Sequence, residues 1–326
     1  MKNVFLMGTS HDPWHNLAVE ALLFETLGPD EAAFYLWQNE NTVVIGRHQN
    51  AWKECRVKLL EDEGGRLARR STGGGAVFHD LGNLNFTFVL PRAACDVPRQ
   101  LRVIRRAVER FGIDTAFTGR NDLVVRGTGA KFSGNAFRYT DRTGMHHGTL
   151  LVDVDMNRLT RYLAPGEDKL KAKGIESVRS RVCNLRELCP SLEIPALMSA
   201  LRDAFEAEYG PARTICEADL DNERLRALEA LYGSWDFRLG KALPFDARLE
   251  TRFDWGGVTL ELQLRQGAVT DARVYSDAMD EAMIDRIAPA LVGQKYQNQA
   301  LAGALRGLGS PQMDDLADWI EGEELG

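Results

Sequence analysis

The chain has 326 residues with a formal net charge of −7 at pH 7, of which 44% are hydrophobic and 27% charged. This composition is ordinary for a globular protein with room for two domains, and the negative charge argues against a nucleic-acid binder that depends on bulk positive charge. No apolar run approaches the length of a membrane-spanning helix, and the run at residues 4–7 is too short for the core of a signal peptide.

The cysteine pattern indicates a reducing compartment. The five cysteines are odd in number and show no CxxC spacing, so they resemble free thiols more than a disulfide set or a zinc site. We therefore expect a cytoplasmic protein. These cysteines are Cys55, Cys95, Cys183, Cys189 and Cys216.

The first half of the sequence predicts a helix followed by short strands. Asp12 and Pro13 are typical of a helix start, because aspartate caps the first turn and proline is tolerated at the first helical position. Apolar residues follow at helical spacing, and Gly28 closes the segment. Residues 84–89 alternate between two faces, as a half-buried strand does. Further strands are predicted at 34–37, 42–45, 66–70, 76–79, 123–126, 131–137 and 148–152, with a second helix over 101–111.

The second half begins with helical patterns and ends as a smaller α/β region. Residues 194–209 form the clearest helix, and residues 212–248 predict helix plus connector without a strong strand signal. Two strands at 258–264 and 268–275 flank a plausible hairpin turn, and helices at 281–291 and 313–321 complete the chain. We predict a large mixed domain over residues 1–246 and a small α/β domain over 247–326.

The stretch at residues 69–80 is the most informative motif. Arg70 supplies a forked cation, and Gly73, Gly74 and Gly75 let a ligand approach the backbone without Cβ clashes. No Gly-Lys-Ser/Thr follows, which excludes the Walker phosphate loop, and the residues after the glycines predict a strand instead of the helix of a dinucleotide fingerprint. On the glycines alone, an ordinary hairpin turn is the more probable interpretation.

Three further segments carry candidate polar groups. Asn121 and Asp122 could bind a nucleotide or a metal-bridged phosphate, although such residues are common in turns. Lys131 begins the predicted strand at 131–137 and could reach into a cleft, although exposed edge-strand lysines are more frequent. His146 and His147 are adjacent, so in a strand they point to opposite faces and cannot both bind one metal.

Together, these four segments resemble the signature set of the lipoate–protein ligase family, in the same order and at similar separations. The resemblance covers essentially the whole chain and is closest to the long bacterial ligases that carry an accessory domain. Further matching segments lie at 12–18, 42–50, 52–55, 80–83, 173–182 and 252–258.

The resemblance implies an α/β (α+β) fold: a mixed β-sheet flanked by helices, similar to biotin ligases, plus a small C-terminal α/β domain. It implies a monomeric, ATP-dependent ligase that needs Mg²⁺ and converts lipoate, or octanoate, to an acyl-adenylate. The acyl group would then pass to a lysine of apo lipoyl domains or of the glycine cleavage H protein.

The resemblance also assigns roles to individual residues. Lys131 and Arg70 are the expected catalytic cations, and Asp122 is the candidate Mg²⁺ ligand. The expected ATP-binding residues are Arg70, Gly75, Ala76, Val77, Phe78, Asn121, Asp122 and Lys131. The expected lipoate-binding residues are Gly73, Gly74, Gly75, His79, Lys131 and His147. From their character alone, Val44, Val77 and Phe86 could line an apolar slot for the acyl chain.

Three alternative functions remain. An octanoyl or lipoyl transferase of the same superfamily would use a cysteine thioester, but residues 131–151 contain no cysteine. A non-catalytic protein that binds a lipoyl group or carrier would keep the fold, although the retained Arg70, triple glycine and Lys131 argue against it. A biotin ligase is disfavoured by the overall match of motifs.

Overall fold

The computed structural model describes residues 2–118, 122–163, 182–240 and 245–323. The chain packs as two compact units. The first comprises Met1–Ile45, Ala51–Ser71 and Ala76–Arg238, and the second comprises Gly46–Asn50, Thr72–Gly75 and Leu239–Gly326. The division at residue 246 stays a prediction. Packing assigns two short segments of the N-terminal part to the second unit.

The first unit is built on an eight-stranded mixed sheet. Its strands are β1 (Lys2–Met7), β2 (Glu31–Trp37), β6 (Asn83–Pro91), β7 (Thr115–Thr118), β8 (Asp122–Val125), β9 (Lys131–Tyr139), β10 (Thr143–Leu151) and β11 (Ala212–Ile215). The order is β11-β1-β2-β6-β10-β9-β8-β7. β11, β1 and β2 are parallel, and every pairing from β2 to β7 is antiparallel. The predicted mixed sheet is therefore confirmed.

A second, three-stranded sheet completes the strands of this unit. It contains β3 (Thr42–Ile45), β4 (Arg66–Arg69) and β5 (Val77–His79), with β3 in the middle. β4 pairs with β3 in parallel and β5 in antiparallel orientation. This small sheet carries the motif residues on either side of the triple glycine.

Helices cover both faces of the large sheet. Helices α1 (Pro13–Thr26) and α8 (Asn222–Gly233) share a core cluster with Tyr35, Trp37 and Met145, and we call this side the α1 face. On the opposite side, called the α4 face, α4 (Val97–Glu109) and α7 (Ile194–Tyr209) pack against alternate residues of the same strands. The other α-helices in the described part of this unit are α2 (Ala51–Glu54), α3 (Val57–Asp62), α5 (Met156–Tyr162), α6 (Leu185–Leu188) and α9 (Trp235–Leu239).

Strand β11 was not predicted, since residues 212–248 showed no strand pattern. It has four residues, of which only Ile215 is buried, and among the described strands its backbone pairs with β1 alone. Its hydrogen bonds depend on a partner strand about 200 residues away in the chain. A short exposed edge strand also lacks the regular alternation of apolar and polar residues by which strands are predicted from sequence.

Over its described residues, the second unit contains a three-stranded antiparallel sheet and four helices. The strands are β12 (Ala247–Phe253), β13 (Gly256–Arg265) and β14 (Ala268–Ser276), and the helices are α10 (Glu281–Asp285), α11 (Ile287–Leu291), α12 (Asn298–Arg306) and α13 (Pro311–Gly322). The predicted hairpin is confirmed, with positive φ angles of 54° at Gln266 and 73° at Gly267 in its turn.

Residues 281–291, predicted to be one helix, form two, and α12 was not predicted. Pro289 accounts for the break, because it lacks the N–H that would bond to the Asp285 carbonyl and its ring would clash with that carbonyl.

In the described part of the chain, no helix is long and apolar enough to cross a membrane.

Candidate active site

A row of polar and small residues crosses the α1 face of the large sheet. Trp37 pairs with Asn85, and Asn85 pairs with Thr149. The Gly134 N–H donates to the Thr149 hydroxyl at 3.3 Å, and Gly134 pairs with Asp122. Directly opposed residues share one face of a sheet, so these positions form a row over five strands. At a spacing of about 4.8 Å between strands, the row is roughly 19 Å long.

The ammonium group of Lys131 lies at one end of this row. Its Nζ makes an ion pair with Oδ1 of Asp122 at 2.7 Å, and both side chains are partly exposed. A Cβ atom on Gly134 would lie only 3.0 Å from this Nζ. The glycine therefore leaves room for the ammonium to lie over the sheet, where an anionic ligand can reach it. The structure brings together two of the predicted site residues here.

A buried carboxylate, Glu20 of α1, lies next to the row. The Thr87 hydroxyl and Nδ1 of His147 both donate to its Oε1, each at 2.7 Å. The indole N–H of Trp37 in turn donates to the Thr87 hydroxyl at 3.0 Å. Because Nδ1 of His147 bonds to a carboxylate, that nitrogen carries a proton, and in the neutral ring Nε2 is the acceptor.

Arg70 provides the second cation on the α1 face. It follows β4, its side chain is buried, and Nη1 donates to the Val44 carbonyl at 3.4 Å. Burial lowers the pKa of its guanidinium to about 10, while the charge of Glu20 opposes this shift. Arg70 therefore remains charged at neutral pH. It lies near Glu20 on the same face of the sheet as Lys131, which the proposed chemistry requires.

His79 ends β5 on the α1 side of the molecule. Burial, with smaller contributions from the charge of Arg70 and from the neighbouring His147, lowers its pKa to about 3, so the ring is neutral at pH 7. Its ring approaches Trp37 edge to face, with centroids 6.3 Å apart. His79 therefore belongs to the Trp37 end of the row, away from Lys131.

Neighbouring residues of β5 have different environments. Val77 is partly buried against the α1-face cluster. The Phe78 side chain is buried elsewhere, with its ring centroid 5.6 Å from that of Tyr162. If Ala76, Val77 and Phe78 bind ATP, Phe78 can contribute only through its backbone, so their ATP-binding role stays a prediction.

The glycine loop belongs to the second unit. The Gly74 N–H donates to the Ala278 carbonyl at 3.0 Å, and Gly74 has a φ of 90°, which favours glycine. A Cβ on Gly73 would overlap the backbone oxygen of Ala278. A Cβ on Gly75 would meet no atom within 4 Å. Packing thus explains glycine at positions 73 and 74. Packing does not require glycine at position 75, and close approach of a ligand to the backbone remains the predicted reason for glycine there.

Two sequence-based expectations about lining residues have different outcomes. Val44 lies in the α1-face cluster, on the side where an acyl slot is expected. Phe86 does not: it belongs to the α4-face cluster and contacts the ring of His146, so its assignment to the slot was wrong. Asn121 and residues 173–181 lie outside the described residues.

Several residues of this site were missed from the sequence, namely Glu20, Trp37, Thr87 and Thr149. Glu20 did leave a signal, because it is the single acidic residue within the apolar stretch at 17–24. A buried carboxylate in such a helix needs charged or hydrogen-bonding partners. The partners are on β6 and β10, which helix periodicity alone does not reveal.

Cys183 lies closer to Lys131 than its position in the sequence suggested. Its N–H donates to the Lys131 carbonyl at 2.9 Å, but the thiol packs in the α4-face cluster and contacts the Ala130 carbonyl. Burial raises the pKa of this thiol to about 11, so it is protonated at pH 7 and a poor nucleophile.

Among the residues with described positions, no group of three or more His, Cys, Asp or Glu side chains could hold a metal ion.

Comparisons with known proteins identify the family of the chain. A family model described as the lipoyl protein ligase A/B catalytic domain matches residues 12–206, and one described as the bacterial lipoate protein ligase C-terminus matches residues 242–320. A lipoate-protein ligase A of Psychrobacter cryohalolentis is 40% identical over 341 residues, which covers 100% of both chains.

Solved structures show the same fold. The crystal structure of P. falciparum LipL1 in complex with lipoate has a TM-score of 0.87 at 27% identity, covering 98% of this chain and 100% of that chain. The bipartite lipoate protein ligase of Thermoplasma acidophilum has a TM-score of 0.66 at 24% identity, covering 76% of this chain and 100% of that chain. The catalytic-domain model spans more than half of the sequence and the curated relative matches its full length, so the chain belongs to the lipoate–protein ligase family.

Proposed function

We propose that this chain activates lipoate with ATP to form lipoyl-AMP and then transfers the lipoyl group to a lysine of a carrier domain. Membership of the lipoate–protein ligase family makes the chain an ATP-dependent ligase. The observation that carries the residue-level proposal is the position of the Lys131 ammonium, held by Asp122 over Gly134 at the end of a row across the α1 face.

In the first step, a carboxylate oxygen of lipoate attacks the α-phosphorus of ATP. A new oxygen–phosphorus bond forms, the bond to the β-phosphate breaks, and pyrophosphate leaves. Both reactants are anions, so Lys131 and Arg70 reduce their repulsion and stabilise charge on the phosphoryl oxygens. The acyl chain then extends along the row away from Lys131, and His79 and His147 lie beside it.

The ion pair between Asp122 and Lys131 supports the nucleotide side of the site. We assign Asp122, Asn121 and the backbone at residues 75–78 to ATP, as the family resemblance implies. Mg²⁺ usually binds through one or two protein carboxylates together with substrate phosphates, and Asp122 offers such a carboxylate beside the lysine. When bound there, the ion would neutralise phosphate charge.

In the second step, a lysine amine of the carrier attacks the acyl carbonyl, the amide forms and AMP leaves. The mixed anhydride is already activated, so no enzyme nucleophile is needed. The protonated thiol of Cys183, directed toward the α4-face core, supports direct transfer over a thioester route. We propose lipoyl domains and the glycine cleavage H protein as acceptors, octanoate as a second acid, and a monomeric enzyme.

Lipoate-dependent ATP–pyrophosphate exchange tests the first step. Lys131→Ala should lower the exchange rate by about 10²- to 10³-fold, since it removes a fixed cation from the developing charge. The matched control is Lys58→Ala, because Lys58 makes an equally short 2.7 Å ion pair with Asp62 on the exposed surface of α3. Exchange at the wild-type rate in Lys131→Ala would overturn the assignment.

Transfer is tested by the mass of an apo lipoyl domain incubated with enzyme, ATP, Mg²⁺ and lipoate. An increase equal to one lipoyl group is expected, and it should require both ATP and lipoate. Exchange without any increase would indicate an enzyme that forms the adenylate but does not modify this carrier.

A further inference from the structure

His79 has one ring nitrogen in a hydrogen bond and the other without a partner. Its Nδ1 lies 3.1 Å from the Nδ2 of Asn39. Its Nε2 is buried and has no hydrogen-bond partner within the described ranges of the chain. Buried polar atoms in folded proteins are nearly always bonded, so such an atom beside a ligand site points to a group of the ligand.

A chain of hydrogen bonds determines which His79 nitrogen carries the proton. The amide nitrogen of Asn16 donates to the backbone carbonyls of Ser10 at 3.0 Å and Gln38 at 2.8 Å. Carbonyls only accept, so the Asn16 amide can have one orientation alone. The same Nδ2 lies 3.0 Å from Oδ1 of Asn39, which orients that amide with its Nδ2 toward His79.

The His79 tautomer follows from this orientation. Nδ2 of Asn39 is a donor, so Nδ1 of His79 must accept, and the neutral ring carries its proton on Nε2. His79 therefore presents a buried N–H donor. It is held in this state by Asn39, whose orientation depends on Asn16 and on two backbone carbonyls.

The donor lies near the Trp37 end of the row, toward which the tail of an acyl chain would extend from Lys131. With the ligand carboxylate at Lys131 over Gly134, the Asn85 and Trp37 positions are two and three strand spacings away, or roughly 10 and 14 Å. Seven carbon–carbon bonds of about 1.5 Å in an extended zigzag span roughly 9 Å. The far end of an eight-carbon acid thus lies near the Asn85 position, one strand before Trp37. The ring of His79 lies 6.3 Å from that of Trp37, so His79 is beside this end of the row.

Lipoate and octanoate differ at this end of the molecule. Lipoate carries a ring with two sulfur atoms, which are weak hydrogen-bond acceptors, whereas octanoate ends in a methyl group that accepts nothing. Binding octanoate would leave the buried donor of His79 unpaired and separated from water, and this disfavours octanoate relative to lipoate.

We propose that His79 is a specificity-determining residue, whose Nε2–H donates to a ring sulfur of lipoate, and that Asn39 is the positioning residue that fixes this tautomer. The inference rests on the proposed lipoate ligase activity. It adds a polar contact at the end of the acyl site opposite Lys131.

The first test compares kcat/KM for lipoate and octanoate in acid-dependent ATP–pyrophosphate exchange. The lipoate-to-octanoate ratio should fall about fivefold or more in His79→Phe, which removes the donor, and also in Asn39→Asp. His146→Phe is the matched control, since His146 is equally buried but lies on the α4 face, where it contacts Asn135 and Gln100. Its ratio should stay at the wild-type value.

The second test is independent of activity. In protein with ¹⁵N-labelled histidine rings, the His79 proton should be on Nε2 in the wild type and move to Nδ1 in Asn39→Asp, where a carboxylate accepts from Nδ1. A proton on Nδ1 in the wild type overturns the inference even if His79→Phe does not fold. An unchanged ratio in a folded His79→Phe also overturns it, whereas a wild-type enzyme without exchange on either acid contradicts the proposed function itself.

Discussion

Replacing Glu20 by alanine should destabilise the protein strongly, although Glu20 lies outside every motif that identified the family. Its carboxylate is buried and accepts hydrogen bonds from Thr87 and His147, both at 2.7 Å. It also offsets part of the cost of burying the Arg70 guanidinium. Glu20→Ala therefore removes the shared partner of two donors and a carboxylate that partly compensates the buried charge of Arg70.

The size of the effect follows from these contacts. A hydrogen bond to a charged group contributes about 1.5–3 kcal/mol, and breaking a buried ionic contact on one side costs about 3–5 kcal/mol. These values share the same carboxylate and do not add, so we expect a loss of about 3–5 kcal/mol in the free energy of unfolding. Glu20→Gln keeps the volume and one acceptor oxygen, and it should lose about half as much.

Urea unfolding, followed by circular dichroism, measures this loss. Glu25→Ala is the matched control, because Glu25 is on the same helix but is partly exposed and paired with Arg224, which is also partly exposed. Such a pair contributes about 0–1 kcal/mol. If Glu20→Ala and Glu25→Ala destabilise the protein equally, the Glu20 cluster does not stabilise the fold as argued.

Three further predictions concern pH, the glycine loop and the thiols. Burial lowers the folded-state pKa values of His79 and His146 to about 3. Below pH 6.5 the unfolded state therefore binds more protons than the folded state, so the protein loses stability as the pH falls. The free energy of unfolding measured in urea should be lower at pH 5 than at pH 7 by about 2 kcal/mol for each histidine. Gly73→Ala should cost about 1–3 kcal/mol by thermal unfolding, since its Cβ overlaps backbone, whereas Gly75→Ala should stay within about 0.5 kcal/mol. Cys183→Ala should retain full carrier modification by mass, and a loss of transfer with intact exchange would indicate a thioester route.

Local signals in the sequence predicted several elements at their observed positions. The strand Thr42–Ile45 and the helix Ile194–Tyr209 were predicted with the observed bounds. The signals for both are local in sequence: a run of apolar residues marks the strand, and a helical stripe of apolar residues followed by Gly210 marks the helix. Strand β11 was missed because its pairing with β1 is remote in sequence. The break before α11 was missed although Pro289 stood in the segment.

The site shows the same contrast between signals that are local in the sequence and contacts that form only on folding. Lys131 and Asp122 were found through family motifs, and the structure places them in one ion pair. No role was predicted for Asn39, or for Asn16 of the matching segment 12–18. An asparagine in a loop or helix has many possible roles, and theirs depends on a hydrogen-bond chain formed only after folding. Phe86 was misassigned because the strand pattern gives alternation but not which face meets the ligand.

The two histidines expected at the acyl chain show why residue identity alone does not define this site. His147 donates a hydrogen bond from its Nδ1–H to Glu20, so its neutral ring has an acceptor at Nε2. His79 instead accepts at Nδ1 from Asn39 and has a donor at Nε2. The same side chain thus supplies opposite hydrogen-bonding polarity at two nearby positions, and the partner residue decides which. A relative that retains both histidines but replaces Glu20 or Asn39 would have a site of different polarity, so acid selectivity in this family should follow these partners as closely as it follows the histidines.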